Sequence, residues 1–505
     1  MDEEDDEDEG SETELGSLED CVANDLEAAQ KVCKLFPHIK YCREQLYVFN
    51  RETGMYDTSD STLTALLISL ADRLHKIKFV KGLPVRSERS YGNTCDQMSK
   101  LTKIIKSISR DDNWLNAMTP TSLGKLLFKN GYYDMAAGRF YDEFDPTIMF
   151  MGKIHDDFED FTEEDLEYQS DIEERCFAQL LGGAENAHYV LTTFSRALAG
   201  DQQKRVIIGL GDTDTGKSMF TLILKSSLGD YCGEFNAGNL AYRSTSQDEA
   251  QQLRWAYLLR GCRLIISNEV KMNDGAELDS NMVKKLSNGG NESLVGRVHH
   301  GLETAFEPHF LMAIFGNAFP QIKPYDDAVS NRLKVVEFKT QYVENPTRPF
   351  QLKKDENLKE EIKSLCFQKN VRGKLFSKYQ QFILGGRHEH EPADVAAAKN
   401  HYFGKVDEFA DNFFDKFLPQ HFEITGRDED FVQSKRVEKW LEDEEFHMSM
   451  KDFGNKVRKI TRGLHVKSAS KRVCHDGRQD PVRCWFGIRE IPAAAMDVPT
   501  EMTEV

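Results

Sequence analysis

The sequence predicts an α/β protein whose core is a mostly parallel β-sheet with helices on both faces. The segment VIIGLGDTDTGKSMFTLIL, residues 206–224, reads as a buried strand, a glycine-containing loop and a helix. Two further apolar strands follow in CRLIISNEV and HFLMAIFGN, and strands that alternate with helices favour a parallel sheet. We expect a mixed α+β domain before this core and a winged-helix-like domain after it.

The two ends of the chain are expected to be tails. The chain has 505 residues and a formal net charge of −19. Residues 1–20 contain 12 acids and no Lys or Arg, so the rest of the chain carries a net charge of −7. A segment with this much charge and so few apolar residues cannot bury a core. We therefore expect residues 1–20 to be a disordered acidic tail that aids solubility, and residues 491–505 to be a second tail.

Residues 21–155 are predicted to form the mixed N-terminal domain. KYCREQLYVFNRETGMYD reads as two strands around a turn at Glu52, Thr53 and Gly54, and STLTALLISLADRLHKI has helical periodicity. LLFKNGYYDMAAGRFYDEF reads as a further hairpin with Asn130-Gly131 at its turn. Eleven of residues 156–174 are Asp or Glu, so residues 156–175 are expected to form an acidic linker or solvated helix.

The core is expected at residues 176–345, a helical connector at 346–400 and the C-terminal domain at 401–490. The C-terminal domain is predicted to be a winged helix, because three amphipathic helical patterns precede the strand VRCWFGIREI. The helical segments are HYFGKVDEFADNFFDKFL, SKRVEKWLEDEEF and SMKDFGNKVRKI. From Lys451 to Glu490, eleven Lys or Arg residues stand against four acids, a local charge of +7. Such a local positive field is suited to a phosphate backbone even in an acidic protein.

The loop GDTDTGKS matches the phosphate-binding pattern G-x-x-x-x-G-K-[ST]. Its glycines let backbone N–H groups turn toward phosphate oxygens, and the start of the following helix adds partial positive charge. Lys217 is expected to bridge the β- and γ-phosphates and the Ser218 hydroxyl to coordinate Mg²⁺, while Asp212 and Asp214 point outward. The predicted nucleotide-binding residues are Gly211, Asp212, Thr213, Asp214, Thr215, Gly216, Lys217 and Ser218.

Three residues downstream complete a hydrolytic site. Glu269 ends the strand LIISNE, and a carboxylate there, on a strand beside the phosphate loop, is suited to polarising water for attack on the γ-phosphate. Asn317 ends the strand FLMAIFGN with an amide suited to orienting that water. Arg332, fifteen residues on, is placed to stabilise transition-state charge on a neighbouring subunit's γ-phosphate.

This ordered set resembles the motifs of superfamily 3 helicases, within the poxvirus-type primase-helicase family of large DNA viruses and related phage and plasmid primases. The resemblance extends from roughly residue 30 to residue 490. It is carried by four segments: GLGDTDTGKSMFTLILKSSLGDY, LRGCRLIISNE, VKKLSNGGNESLVGRVHHGLETAFEP and GNAFPQIKPYDDAVSNRLKVVEF.

The resemblance implies an AAA+-like P-loop ATPase core that assembles into a ring, usually hexameric, hydrolyses ATP and translocates on single-stranded DNA to unwind duplex. By the same resemblance, Lys217 and Ser218 bind ATP and Mg²⁺, and Glu269 is the catalytic acid and contributes to the metal site. Asn317 is the sensor, and Arg332 is the finger that acts across subunits.

The segment GGNESLVGRVHHGLETAF corresponds in the resemblance to a hairpin that points into the ring channel, and places Arg297, His299 and His300 where groups that contact DNA would lie. The chain departs from the family pattern there, because NGGN replaces the usual Gly-Asp. The roughly 150 residues before the core are too few for a primase domain as well. We therefore expect no primer synthesis by this chain, and a separate primase and replication proteins are candidate partners.

Two alternatives to a helicase remain open. The first is a DNA-stimulated ATPase without unwinding, such as a loader or packaging motor, which the altered NGGN segment favours. The second is a non-catalytic replication scaffold in which ATP only holds the ring together. A small-molecule kinase is disfavoured, because nothing forms an acceptor-binding lid and the series from Asn317 to Arg332 would be left unexplained.

Cysteine usage and hydropathy bear on location. The ten cysteines include no Cys-x-x-Cys pair, which is typical of reduced thiols in an intracellular protein and predicts no structural zinc. No apolar run approaches the roughly 18 residues of a membrane span, and the N-terminus is acidic rather than signal-like. We therefore expect an intracellular protein without a membrane partner.

Overall fold

The computed structural model describes most of the chain, in two compact units that divide between residues 399 and 400. The described residues are 18–241, 248–268, 277–288, 293–297, 303–320, 322–323, 326–399, 418–443, 450, 453, 457, 467–475 and 478–491. Residues 1–17 of the expected acidic tail and 492–505 of the second tail lie outside them. The segment Leu18–Asp20 forms a short 3-10 turn at the start of the described chain.

Residues 21–122 form a mixed α+β arrangement. Its strands are β1 (Cys21–Val22), β2 (Ile39–Cys42), β3 (Gln45–Asn50), β4 (Met55–Asp57), β5 (His75–Val80) and β6 (Leu83–Ser90). Its helices are α1 (Asp25–Leu35), α2 (Asp60–Ser69), α3 (Cys95–Ile108) and α4 (Trp114–Met118), with 3-10 turns at Ala71–Arg73 and Thr119–Ser122. Strands β2, β3 and β4 form an antiparallel meander, and β5 lies between β1 and β6. Buried residues of α1, α2 and α3, such as Val32, Leu63 and Leu101, join both sheets in one core.

The structure corrects two details of this region. The first segment has three strands instead of two, because the chain also turns at Arg43 and Glu44, which both adopt positive φ (50° and 61°). No glycine marks that turn in the sequence. The expected helix ends at Ser69, and its last three residues open strand β5 from His75, because they pair with β1 and β6.

A three-stranded antiparallel sheet follows, formed by β7 (Lys125–Phe128), β8 (Gly131–Asp134) and β9 (Arg139–Tyr141). The expected hairpin is present, with Phe128 paired to Gly131 across the turn at Lys129 and Asn130. Gly131 has φ 152°, and a Cβ there would lie 2.1 Å from the carbonyl oxygen of Tyr141. Glycine is therefore required where β8 begins.

The centre of the first unit is a five-stranded, wholly parallel sheet, as the sequence predicts. Its strands are β10 (Val206–Leu210), β11 (Cys232–Glu234), β12 (Leu264–Asn268), β16 (Leu311–Gly316) and β18 (Leu333–Glu337). Their order across the sheet is β11-β12-β16-β10-β18. The strand that carries the glycine loop, β10, therefore lies between β16 and β18.

Both faces of this sheet are buried. Ile207, Ile266 and Phe315 face a cluster formed with the larger helices, and Ile208 and Ile265, which alternate with them, are also buried. Burial on both faces explains why these strands read as continuous apolar runs. The larger helices are α5 (Glu163–Glu173), α7 (Ala184–Leu198), α8 (Lys217–Leu228) and α14 (Leu365–Leu384), with a π turn at Glu174–Ala178 and the short α6 (Gln179–Leu181) after α5.

Shorter elements complete the unit. The strands are β13 (Leu278–Asp279), β14 (Leu294–Gly296), β15 (Thr304–Phe306), β17 (Ile322–Lys323), β19 (Gln341–Val343) and β20 (Gln351–Lys353). The helices are α9 (Glu249–Gln252), α10 (Arg254–Leu258), α11 (Ser280–Leu286), α12 (Asp327–Ser330) and α13 (Leu358–Glu361), with 3-10 turns at Gly229–Tyr231 and Ala237–Leu240. Residues 393–399 are also helical.

The acidic segment after the N-terminal region packs into the unit, whereas the sequence suggested a solvated helix or linker. Thr162 caps α5, and Asp165 one turn later is buried, where it accepts hydrogen bonds from Lys369 (2.9 Å) and Asn370 (2.8 Å) of α14. Asp156 pairs with the buried Arg372 of the same helix. The acids of this segment therefore neutralise cations of α14.

The second unit contains α15 (Leu418–His421), β21 (Phe422–Ile424), β22 (Phe431–Gln433), α16 (Ser434–Asp443), β23 (Lys467–His475), β24 (Arg478–Phe486) and β25 (Ile488–Glu490). Strand β24 pairs antiparallel with β22 and β23, and β21 and β25 form a separate antiparallel pair. Trp440, Phe453 and Trp485 lie in its core. The second expected helix is α16; of the first, residues 401–417 lie outside the described residues.

Candidate functional site: the glycine loop and the strand ends beside it

The glycine loop joins the carboxyl end of β10 to the first turn of α8. Gly216 has φ 83°, and a Cβ there would lie 2.8 Å from Cδ2 of Leu180. A Cβ on Gly211 would lie 2.8 Å from Cβ of Phe338. Both positions therefore require glycine, one for its backbone conformation and both for close packing. The backbone of the loop therefore packs closely against Leu180 and Phe338.

The ammonium group of Lys217 lies against the inside of this loop. Its Nζ donates to the carbonyl oxygens of Gly211 (2.5 Å) and Asp212 (2.6 Å), and to Oγ1 of Thr215 (3.1 Å). Burial lowers the pKa of Lys217, and the nearby carboxylates of Asp212 and Asp214 oppose that shift. An anion bound to the backbone of the loop would therefore lie close to the positive charge of Lys217.

The remaining loop residues divide by exposure as the sequence predicts. Asp212, Thr213 and Asp214 are exposed, so the two carboxylates are open to solvent, and Asp214 has φ 62°. Thr215 is buried and donates to the carbonyl oxygen of Asp212 over 2.9 Å. Ser218, in the first turn of α8, is exposed. Its hydroxyl is at the helix end where anions and their counter-ions are favoured.

Asn317 lies at the same edge of the sheet as the glycine loop. Strand β16 is hydrogen-bonded to β10, with Gly316 opposite Leu210, and the amide of Gly211 donates to the carbonyl oxygen of Gly316 over 3.2 Å. Asn317 is the next residue and is exposed. The structure thus brings this predicted site residue beside the loop.

The strand that leads to Glu269 is one position further from the loop than the sequence suggested. Strand β12 ends at Asn268, and β16 lies between β12 and β10. The side-chain oxygen of Asn268 accepts a hydrogen bond from Oγ1 of Thr221, on α8, over 2.8 Å. Glu269 itself lies outside the described residues. The described end of its strand is nevertheless held against the helix that follows the loop.

Arg332 lies at the opposite edge of the sheet from the glycine loop of the same chain. Its carbonyl oxygen accepts from the amide of Val206, at the start of β10, whereas the loop follows Leu210 at the end of that strand. Five residues of strand separate the two levels by roughly 16 Å. The guanidinium Nη1 donates to the carbonyl oxygen of Ala328 (2.6 Å). Arg332 is therefore not brought together with its own chain's loop.

The expected hairpin near the NGGN segment is partly described. Strands β14 and β15 pair antiparallel, and Arg297 follows β14. Arg297 forms ion pairs with Asp248 (2.8 Å) and Glu303 (3.4 Å). His299 and His300 lie outside the described residues.

Two residues at this site were not predicted from the sequence. Thr221 links α8 to the end of β12, and the amide of Tyr342 donates to the carbonyl oxygen of Asp214 over 2.9 Å. A Cβ on Gly216 would also lie 3.4 Å from the Tyr342 ring. No local pattern marks either residue, because each acts on a segment distant in sequence.

The residues present fit a bound polyphosphate. Two required glycines, a lysine ammonium and the start of a twelve-residue helix converge on one loop. Within the described ranges, no cluster of three or more His, Cys, Asp or Glu side chains has metal-binding geometry. No helix in the described part of the chain is long and apolar enough to cross a membrane.

Comparison with curated proteins shows similarity to helicase-named viral proteins. The chain is 28% identical over 489 residues to "Putative helicase V13" of Sputnik virophage, over 94% of this chain and 59% of that protein. It is 25% identical over 250 residues to "Putative helicase L207/L206" of Acanthamoeba polyphaga mimivirus, over 49% of this chain and 25% of that protein. It is 24% identical over 401 residues to "Putative helicase 184R" of Invertebrate iridescent virus 6, over 75% of this chain and 39% of that protein.

The chain thus spans about three fifths or less of the length of these relatives. No protein-family model matches the chain. Among solved structures, the A-form apo structure of the NrS-1 C-terminal region aligns with 91% of this chain and 99% of that chain, at 13% identity and a TM-score of 0.40.

Proposed function

We propose that this chain is the motor of a viral ATP-dependent DNA helicase of superfamily 3, with an AAA+-like core that works as a hexameric ring. The observation that carries the proposal is the glycine loop with its inward lysine, bordered at the same sheet edge by Asn317. A loop of this kind binds the phosphates of a nucleotide, and a polar amide beside it serves hydrolysis. Because the viral relatives are named helicases, we take a nucleic acid to be the polymer on which the motor acts.

In this proposal the loop amides and Lys217 bind the β- and γ-phosphates of ATP, and Asn317 orients the attacking water. Glu269 takes the proton from that water. Ser218, with a contribution from Glu269, would hold a Mg²⁺ ion, which would neutralise charge on the phosphate oxygens. Water attacks the γ-phosphorus, and the bond from that phosphorus to the bridging oxygen breaks to release ADP and phosphate.

The position of Arg332 supports action across subunits. It lies a strand length from its own loop, farther than an arginine side chain reaches, so it serves hydrolysis only at a loop of a neighbouring copy. A ring of copies supplies that neighbour. The second unit, proposed to be winged-helix-like, would add DNA contacts through the basic segment from Lys451 to Glu490. A separate primase and replication proteins would complete the machinery.

Unwinding of a forked DNA duplex by the purified chain with ATP and Mg²⁺ tests the proposal. We expect strand separation that the Lys217→Ala variant lacks and the Lys225→Ala variant keeps. Lys225 is a matched control on the same helix, where it pairs with Glu234 over 3.0 Å. ATP hydrolysis without strand separation by the wild-type chain would remove the helicase assignment.

A DNA-stimulated ATPase without unwinding is the second candidate, and one observation favours it. Arg297, expected to grip DNA, is neutralised by Asp248 and Glu303. DNA-stimulated ATP turnover without strand separation would support this candidate. Equal ATP turnover by the Glu269→Gln and wild-type chains, or none in either, would instead support the ATP-held scaffold.

A further inference from the structure

The hairpin formed by β5 and β6, residues 75–90, carries an exposed apolar tip. Its turn is Lys81-Gly82, with φ 50° and 82°, the geometry of a tight two-residue turn. Phe79 is 73% exposed, Leu83 69% and Val80 46%. Nothing in the described chain covers these three side chains. They do not contribute to the core of the N-terminal region, so another explanation is needed for apolar residues there.

The register of the hairpin places cations beside this apolar tip on both faces. Phe79 is opposite Pro84, and Ile77 on the same face is opposite Arg86. On the other face Lys78 is opposite Val85. Each side of the tip therefore combines apolar surface with positive charge.

The hairpin is basic in an acidic protein. Residues 75–90 contain five Lys or Arg and one Glu, whereas the whole chain has a net charge of −19. Neither Lys78 nor Lys81 forms an ion pair with a described carboxylate. Arg86 donates to Nε2 of His75 (2.6 Å), whose Nδ1 donates to the carbonyl oxygen of Ser87 (2.8 Å), which fixes the base of the hairpin.

We propose that the tip of the β5–β6 hairpin binds single-stranded DNA. Phe79 stacks on a base at one face of the hairpin, and Lys81 at the turn and Lys78 on the other face contact phosphates of the strand as it passes around the tip. An exposed aromatic ring among unpaired cations is the combination that binds single strands without base specificity. Two copies of the hairpin would bring like charges together, so charge complementarity favours a polyanion over a second copy. The inference rests on the proposed function, since that function supplies the DNA.

Fluorescence anisotropy of a labelled oligo(dT) with the full chain tests the role of Phe79. We expect Phe79→Leu to weaken binding roughly 5- to 100-fold, because leucine keeps the apolar character but loses the stacking face. Phe79→Tyr keeps that face and should retain binding. Leu384→Ala, at a residue 83% exposed at the end of α14, is the control for an exposed apolar side chain.

The cations have a separate readout. The Lys78→Gln/Lys81→Gln double variant should reduce the salt dependence of binding, lowering the slope of log K against log salt by about 1.4 for two phosphate contacts. Lys359→Gln, at an exposed lysine of α13, should leave the slope unchanged. DNA-independent ATP turnover should be the same in all these variants.

The outcomes separate this inference from the proposed function. Unchanged oligo(dT) affinity in Phe79→Leu and in the double lysine variant would overturn the hairpin's role while leaving the motor intact. Loss of binding to phosphatidylserine-phosphatidylcholine vesicles, or a smaller oligomer, with unchanged DNA affinity would assign the tip to a membrane or to a second copy instead. A wild-type chain that neither binds oligo(dT) nor hydrolyses ATP would overturn both proposals.

Discussion

Thr221 donates a hydrogen bond from Oγ1 to the side-chain oxygen of Asn268 over 2.8 Å. Thr221 lies one turn after Lys217 on α8, and Asn268 is the last residue of β12, immediately before Glu269. The bond therefore couples the helix that carries the glycine-loop lysine to the strand end that precedes the proposed catalytic acid.

Loss of this hydrogen bond should slow hydrolysis more than it weakens nucleotide binding. We expect Thr221→Val, which keeps the side-chain shape, to cost about 0.5–1.5 kcal/mol of stability. Turnover should fall because the end of β12 is no longer fixed, while ATP affinity stays near wild type. Thr64→Val is the control, since the Thr64 hydroxyl also donates a hydrogen bond, to the carbonyl oxygen of Asp60 in α2, outside the site. Equal turnover of the two variants would contradict the coupling.

Lys217 should be required for ATP turnover. Its ammonium already lies against the loop carbonyl oxygens, so phosphate oxygens would replace those contacts at little cost in reorganisation. We expect Lys217→Ala to reduce ATP hydrolysis by at least ~100-fold and Lys225→Ala to leave it near wild type. Phosphate release in a coupled assay measures both, and similar losses in the two variants would point to a general helix defect.

Arg332 should act on the nucleotide of a neighbouring copy. Arg332→Ala should retain ATP binding and lose roughly 10³-fold or more in hydrolysis, the usual contribution of such a residue. Arg110→Ala, which removes an exposed arginine paired with Asp112, is the control. Mixing Arg332→Ala with Glu269→Gln chains should restore part of the activity, since some junctions then contain both wild-type residues. Absence of any recovery would argue against action across subunits.

The buried pair between Arg372 and Asp156 should be important for stability. Arg372 is 3% exposed and also donates to the carbonyl oxygen of Ser227 over 3.0 Å, so Arg372→Met leaves both a carboxylate and a carbonyl without this partner. We expect a loss of about 3–5 kcal/mol, measured by chemical denaturation. Lys363→Met, which breaks an exposed pair with Glu360, should cost under ~1 kcal/mol. Equal costs would show that the acidic segment is not part of the packed unit.

His309 should make stability fall as the pH drops below neutral. Burial and then the nearby charge of Arg263 lower the pKa of His309 from 6.5 to about 4. The unfolded chain therefore takes up this proton first, and stability declines as the pH falls from about 6.5 to about 4. His309→Leu should flatten the dependence of the melting temperature on pH in that window. His390→Leu, which replaces an exposed histidine, should leave the dependence of the melting temperature on pH unchanged. Identical dependences in the two variants would contradict the assignment to His309.

Much of the site was predictable because its signals are local. The glycine loop, the strand before it and the helix after it lie within residues 206–224, and their packing follows from that pattern. Asn317 was predictable for a related reason: it ends an apolar strand, and the carboxyl ends of parallel strands lie at one edge of a sheet. The functional roles of all the predicted site residues remain predictions from the sequence, and Glu269, His299 and His300 also lie outside the described residues.

Local sequence patterns specify the elements of the fold: a glycine loop, buried strands, and apolar and charge patterns that extend only a few residues. The arrangement of these elements is a property of the folded chain. Strand β16 separates β12 from β10, Arg332 lies at the far edge from its own loop, and the acids before α7 neutralise α14. These outcomes depend on hydrogen bonds and burial between residues far apart in the chain, which no local pattern encodes.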